Sequence, residues 1–103
     1  MQVEIPISDV LTAALGKELA KARIDAGKTQ LEVSQAADIT PGYLSQLEHG
    51  RMVSYELLRA VCKAIKVSPV ELARRITQAH TGKPLAKKAD ALAALFTGLE
   101  EVL

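Results

Sequence analysis

The chain of 103 residues is 49% hydrophobic, 24% charged and 3% aromatic, with a net charge of +1, a balance that suits one compact soluble domain carrying an appended element and argues against disorder. Its longest charge-free stretches, 39–47 and 91–99, are nine residues each, far short of the about 20 apolar residues that cross a bilayer, and the opening residues show no secretory signal pattern. The single cysteine, Cys62, makes neither an internal disulfide nor a cysteine-based zinc site, so the expected setting is a reducing cytoplasm, with no metal or redox cofactor.

Alanine and leucine supply 16 and 14 residues, and β-branched residues never alternate over a strand-length run, so the whole chain reads as helical. Residues 1–14 form an arm and the start of helix one; Val3, Ile5 and Ile7 alternate, but Pro6 limits any strand pairing to an edge, and a flexible arm is expected. The first helix opens near Ser8 or Asp9, runs through Leu11, Leu15, Leu19 and Ala22 at helical spacing, and stops at Gly27, a suitable left-handed terminus. Thr29 and Glu32 have capping-box spacing and start a short second helix ending near Ala37. Thr40 caps a third helix with Pro41 at its first position and an Ile39/Leu44 staple, and Gly50 ends it.

Ser54 caps a fourth helix, with Val53 stapled to Leu58 and with Leu57, Val61 and Ile65 along one face. Ser68 and Glu71 form a second capping-box pattern, with Pro69 at the first position and a Val67/Leu72 staple, and start a fifth. The 81–84 stretch is a breaker. Beyond it Leu85, Ala89, Leu92, Leu95, Phe96, Leu99 and Val102 form an apolar stripe on a sixth helix, with Gly98 as a point of possible bending. Residues 15–80 make the main domain and 81–103 the appended helix.

Two short helices joined by only Asp38 and Ile39, the second entered through a threonine cap and a proline, form a helix-turn-helix pattern. Residues 15–73 resemble the phage-repressor (Cro-like, xenobiotic-response-element type) helix-turn-helix family: Leu15-Gly16, Leu19, Arg23 and Gly27 on the first helix, Thr29-Gln30 opening the second, then the run from Tyr43 to Gly50. The resemblance implies an all-α, five-helix lambda-repressor-like DNA-binding domain with an additional C-terminal helix. It also implies that Gln30 touches the phosphate backbone and braces the recognition helix, and that Arg23 and Glu48 form a partly buried ion pair tying the first helix to the third. The chain departs from the pattern at Asp38 and Lys66, where glycine is frequent, and at Ser34, where alanine is common. Aspartate tolerates the left-handed conformation better than most residues, and lysine at a helix end suits the dipole, but a carboxylate at Asp38 would repel a nearby phosphate.

The residues of the third helix support the same role. Leu44 and Leu47 point one way, leaving Gly42, Gln46 and His49 on the opposite face. The amide of Gln46 has the donor and acceptor that pair with adenine, a contact worth about 1–3 kcal/mol of discrimination. Thr40, Pro41 and Ser45 flank that face, and Gly42 lets the backbone come close, so these five residues are the expected base readers. An ordinary solvated polar face is the plainer alternative. Lys28, Thr29, Gln30, Tyr43, His49 and Arg51, with the free amides at the start of the second helix, are the expected backbone contacts. From 17 to 75 ten basic residues face seven acidic ones, so the positive charge sits in this segment.

Elsewhere the features are structural. Cys62 reads as a core thiol, His49 and His80 have no ligand set, and Arg74-Arg75 suit a helix C-terminus. The terminal stripe can cap the core, dimerise or bind another protein; leucines 85, 92 and 99 lie one heptad apart, so dimerisation through Leu85, Leu92, Leu95, Phe96, Leu99 and Val102 is the favoured reading. The expected function is a transcriptional regulator, a repressor that binds double-stranded DNA at a palindromic operator as a homodimer. The competing reading is an antitoxin or adaptor whose C-terminal helix holds a protein partner. An enzyme is disfavoured: there is no catalytic carboxylate spacing, nucleophile motif or phosphate loop.

Overall fold

In the computed structural model, residues 9–51 and 54–102 are described, so the expected arm at 1–8 and the Val53 staple lie outside the described residues. Six helices follow in order: α1 (Asp9–Asp25), α2 (Gln30–Ala36), α3 (Pro41–Glu48), α4 (Tyr55–Ile65), α5 (Pro69–Ala79) and α6 (Pro84–Val102), with no strand among the described residues. The all-α expectation holds, and each boundary has a local cause. Thr29, Thr40, Ser54 and Ser68 each accept the backbone N–H three residues on through their hydroxyl oxygens, at 3.0–3.2 Å. Each such cap is worth about 1 kcal/mol.

The capping box closes fully at Thr29, whose own N–H reaches the Glu32 carboxylate at 3.0 Å. At Ser68 only the first half forms. The Glu71 carboxylate faces Arg75 one turn on instead, at 3.5 Å, because the guanidinium competes for it along the helix surface.

The first four helices also stop in one way. At Gly27, Asp38, Gly50 and Lys66 the backbone turns left-handed, with φ of 72°, 58°, 99° and 68°. The next amide then bonds back into the last turn: Lys28 to Arg23, Ile39 to Ser34, Arg51 to Gln46 and Val67 to Cys62, all at 2.9–3.2 Å. This double-bonded ending satisfies carbonyls that a helix end otherwise leaves bare.

Leu11, Leu15, Leu19, Val33, Leu44, Leu47, Leu58, Val61, Leu72 and Ile76 are buried in one core. Cys62 lies in it as expected, and burial, with the Glu100 charge adding, pushes its thiol up to about 12. The expectation for α6 needs correction. Leu92 and Phe96, taken as dimer residues, are 3% and 0% exposed and belong to the core of their own chain. Leu85, Leu95 and Leu99 are half-buried against that core, and among the six only Val102 is freely exposed. The stripe is absorbed because α6 folds back along α5 after the short 80–83 turn and also touches α1. A heptad of leucines marks a buried face without naming its cover. The helix runs unbroken through Gly98.

A polar latch, not foreseen from the sequence, holds the far end of α6. The Tyr55 ring is fully buried, 5.0 Å from that of Phe96. Its hydroxyl donates to Glu100, which also takes Arg59 Nε at 2.9 Å. Burial first, then the Glu100 hydrogen bond, raises the phenol above its ordinary range.

Candidate nucleic-acid interface

The third helix is mounted on α1 at unusually short range. A Cβ on Gly16 would lie 2.6 Å from the Leu47 carbonyl oxygen and 2.7 Å from that of Glu48. One on Gly50 would lie 2.9 Å from Ala13 Cα, and the left-handed φ there also favours glycine. Only residues without side chains allow the end of α3 to approach the α1 backbone this closely.

A charged cluster fixes the same joint. Arg23 Nε donates to Glu48 Oε2 at 2.7 Å and Nη2 donates to Oε1 at 3.2 Å. Gln30 Nε2 donates to Oε1 at 2.9 Å, and Arg23 Nη1 to the Lys28 carbonyl at 2.9 Å. Glu48, with a side chain 5% exposed, thus has its charge met by three donors from two other helices. A buried carboxylate tolerates desolvation when it is paired and hydrogen-bonded in this way. The ion pair implied by the resemblance is present. Gln30 braces α3 through Glu48, which engages one hydrogen of its amide nitrogen.

Two of the three sequence departures, Asp38 and Ser34, are accommodated in the α2–α3 turn and inside α2. Asp38 takes the left-handed conformation. Ser34 is fully buried, with its hydroxyl donating to the Leu31 carbonyl at 2.9 Å, so its one polar atom is satisfied inside α2.

With Leu44, Leu47 and Glu48 buried on one side, Thr40, Pro41, Gly42, Gln46 and His49 are exposed on the other, and Tyr43 and Ser45 are half-buried at its margins. A Cβ on Gly42 would meet nothing within 4 Å, so the backbone there is open to a large ligand. Of the five expected base readers, Thr40, Pro41, Gly42 and Gln46 are thus exposed and Ser45 lies at the margin.

Gln46 has a partner that sequence reasoning missed: Arg51 Nη1 donates to its Oε1 at 3.0 Å. A guanidinium has only donors, so the amide oxygen must face Arg51 and the NH2 group is turned away from it. The readable signal was Gly50, whose helix-ending turn brings Arg51 back over Gln46. His49 is oriented similarly. Its Nδ1 lies 2.7 Å from the Ser45 carbonyl, and a carbonyl only accepts, so Nδ1 carries the hydrogen and Nε2 is the remaining polar atom.

Beside this helix, Lys28 and Thr29 precede α2. The capping box engages the amides of Thr29 and Glu32, leaving those of Gln30 and Leu31 without a partner among the described residues. The backbone amide of Thr29, followed by its hydroxyl, holds the Glu32 carboxyl below its usual range. Two open amides beside α3 can donate to a phosphate oxygen. Among the described residues no group of three or more His, Cys, Asp or Glu could hold a metal ion, and no helix is long and apolar enough to cross a membrane.

Comparison with known proteins agrees with this geometry. The Helix-turn-helix family profile matches residues 19–72. Transcriptional regulator ClgR of Mycobacterium tuberculosis is 44% identical over 54 residues, which cover 52% of this chain and 48% of that protein. The chain thus spans about half the length of the curated relatives it matches. A crystal structure of the clp gene regulator ClgR from Corynebacterium glutamicum superposes with a TM-score of 0.65 at 36% identity, covering 77% of this chain and 100% of that one. A second crystal structure of that regulator gives a TM-score of 0.60 at 37% identity, covering 90% of this chain and 89% of the other.

Proposed function

This chain belongs to the Helix-turn-helix family, whose members are DNA-binding transcriptional regulators, and from that premise we propose that it is a cytoplasmic repressor binding an inverted-repeat operator as a homodimer. The observation that carries this reading is α3 itself, a helix anchored from behind by a buried ion pair while its outer side is left bare. A two-fold pair of such helices enters successive major grooves about 34 Å apart, and bound over a promoter it blocks polymerase.

In this reading Thr40, Pro41, Gly42, Ser45 and Gln46 face the bases. Gln46 is the principal reader, and Arg51 sets the direction of its amide. Lys28, Thr29, Gln30, Tyr43, His49 and Arg51 hold phosphates and so fix position without reading sequence. Few of these are cations, so one subunit binds weakly and two are needed for tight binding. The burial of Leu92 and Phe96 in the chain's own core removes these anchors from the antitoxin or adaptor alternative and from the leucine-heptad dimer alike.

The test is selection of bound duplexes from a random pool, with the mass in solution measured at the same salt. An enriched inverted repeat with half-sites about 10 base pairs apart, a dimer mass, and loss of the preference in Gln46→Ala are expected. Salt-sensitive binding without enrichment would overturn the reading.

A further inference from the structure

Two contacts return Arg51 to residue 46. After the left-handed turn at Gly50, the Arg51 amide donates to the Gln46 carbonyl at 3.0 Å, and Arg51 Nη1 donates to Gln46 Oε1, also at 3.0 Å. The backbone contact fixes where the Arg51 side chain starts, so its meeting with the Gln46 side chain follows from the same turn. Both residues are exposed, and Arg51 has no ion pair among the described residues that would draw it elsewhere. A guanidinium carries five N–H donors, so the others can hold a phosphate while Nη1 holds the amide.

This tie changes what Gln46 can read. A free glutamine amide matches adenine, whose N6 amine donates to the oxygen while N7 accepts from the NH2 group. At Gln46 the oxygen already faces a cation. One lone pair remains on it, but an amine brought there meets the Arg51 charge as well as the oxygen. The outward group is the NH2, with two hydrogens to give. In the major groove guanine presents two adjacent acceptors, N7 and O6, and no donor. Thymine presents one acceptor beside a methyl group, adenine sets its N6 amine beside N7, and cytosine presents a donor alone. A pair of donor hydrogens backed by a positive charge therefore fits guanine best.

We infer that Gln46 reads guanine and that Arg51 is the positioning residue that makes it do so: by holding the amide oxygen, Arg51 turns a side chain suited to adenine into one that meets the base as a donor. This assignment rests on the recognition role proposed above for α3 and names the base which that role selects. It also couples the two kinds of contact, since a phosphate held by Arg51 fixes the guanidinium and, through it, the amide of Gln46. An adenine contact is the expectation for a free amide, and the turn at Gly50 removes that freedom.

The test is selection from a random duplex pool by the full chain and by each variant, after far-UV melting has confirmed folding. The parent should enrich guanine at one position of the bound site, and Gln46→Ala should lose the preference there. Titration with duplexes that differ only at that position then gives the guanine-to-adenine ratio of affinities. Arg51→Ala should weaken binding to all sequences, as loss of a phosphate contact does, and should also lower that ratio about tenfold. Loss of a phosphate contact alone would leave the ratio unchanged. Gln46→Lys supplies an ammonium that only donates, so it should select guanine both with Arg51 present and in combination with Arg51→Ala. Adenine or thymine at the Gln46-dependent position of the parent site would overturn the assignment. So would a guanine preference that keeps its full ratio in Arg51→Ala, and one that survives Gln46→Ala would make another residue the reader and overturn it too. A parent that enriches no sequence would overturn the recognition role of α3 itself, and the base assignment with it.

Discussion

The third and sixth helices are held by different kinds of contact. At the end of α3 two glycines bring backbones together, and a carboxylate is gripped by three directional donors from Arg23 and Gln30. Over most of its length α6 is held by burial of alanine, leucine and phenylalanine, with a single polar latch near its end. Burial is strong and indifferent to angle, whereas charged hydrogen bonds are sensitive to it. A helix that must meet a groove in one orientation needs the second kind; a helix that completes a core needs the first.

The sharpest way to break the comparison is to remove one anchor from each helix. Glu48→Ala leaves Arg23 largely buried without its partner, at a cost of about 3–5 kcal/mol, and Phe96→Ala costs about 3–5 kcal/mol through the cavity it opens. Denaturant unfolding should show similar losses for both. Titration with the selected duplex, corrected for the folded fraction, should separate them: Phe96→Ala should bind like the parent and Glu48→Ala should not. Equal affinity in the two variants would mean that the ion pair stabilises α3 without orienting it.

Glycine substitutions sharpen the same contrast. Gly16→Ala drives a methyl into the carbonyl oxygens of Leu47 and Glu48, which cannot swing aside, and should destabilise by about 1–3 kcal/mol. Gly98→Ala meets nothing within 4 Å and lies inside a helix, so it should stabilise by about 0.5–1 kcal/mol when melted at a concentration where the chain is monomeric. Melts of the same sign would remove the close approach as an explanation for Gly16.

How much of this was legible in the sequence depends on the range of the cause. The helix starts at Thr29, Thr40, Ser54 and Ser68 and the stops at Gly27 and Gly50 could be read because a cap acts within a few residues. The Arg23–Glu48 pair was available through resemblance, and the outer side of α3 followed from helical geometry around Leu44 and Leu47. Glu71 was misread because two partners, the Ser68 amide and Arg75, lie within its reach and spacing does not rank them. The cover of Leu92 and Phe96 depends on how α6 folds back on α5, and Tyr55 meets Glu100 across 45 residues. Neither fact leaves a local trace.

Tyr55→Phe tests the latch with a smaller expected effect. The ring and its packing on Phe96 remain, and the side chain of Glu100 is 38% exposed and can turn to water, so the loss should be about 1 kcal/mol. Amide exchange should locate it: residues 97–102 should open faster, while the amides of α3 keep their rates. Equal acceleration in both helices would mean that the latch supports the whole fold instead of the end of α6.

The smallest effects separate shape from charge at two helix ends that break the usual preference for glycine. Asp38 and Lys66 are both left-handed, a conformation that disfavours side-chain-bearing residues by about 1–2 kcal/mol. Glycine relieves that strain but gives back about 0.5–1 kcal/mol in unfolded-state freedom. Asp38→Gly and Lys66→Gly should therefore each raise stability, by at most about 1.5 kcal/mol. They should differ on DNA. Asp38 is exposed in the turn that leads into α3, where on the proposed function its carboxylate would oppose phosphate, so Asp38→Gly should tighten duplex binding, with the gain shrinking as salt rises. Lys66 ends α4, outside the helix-turn-helix pair, and Lys66→Gly should leave binding as it was. A gain in binding from both variants would trace the effect to stability and remove Asp38 from the interface. A gain from Asp38→Gly alone would place the turn, as well as α3, against the phosphate backbone.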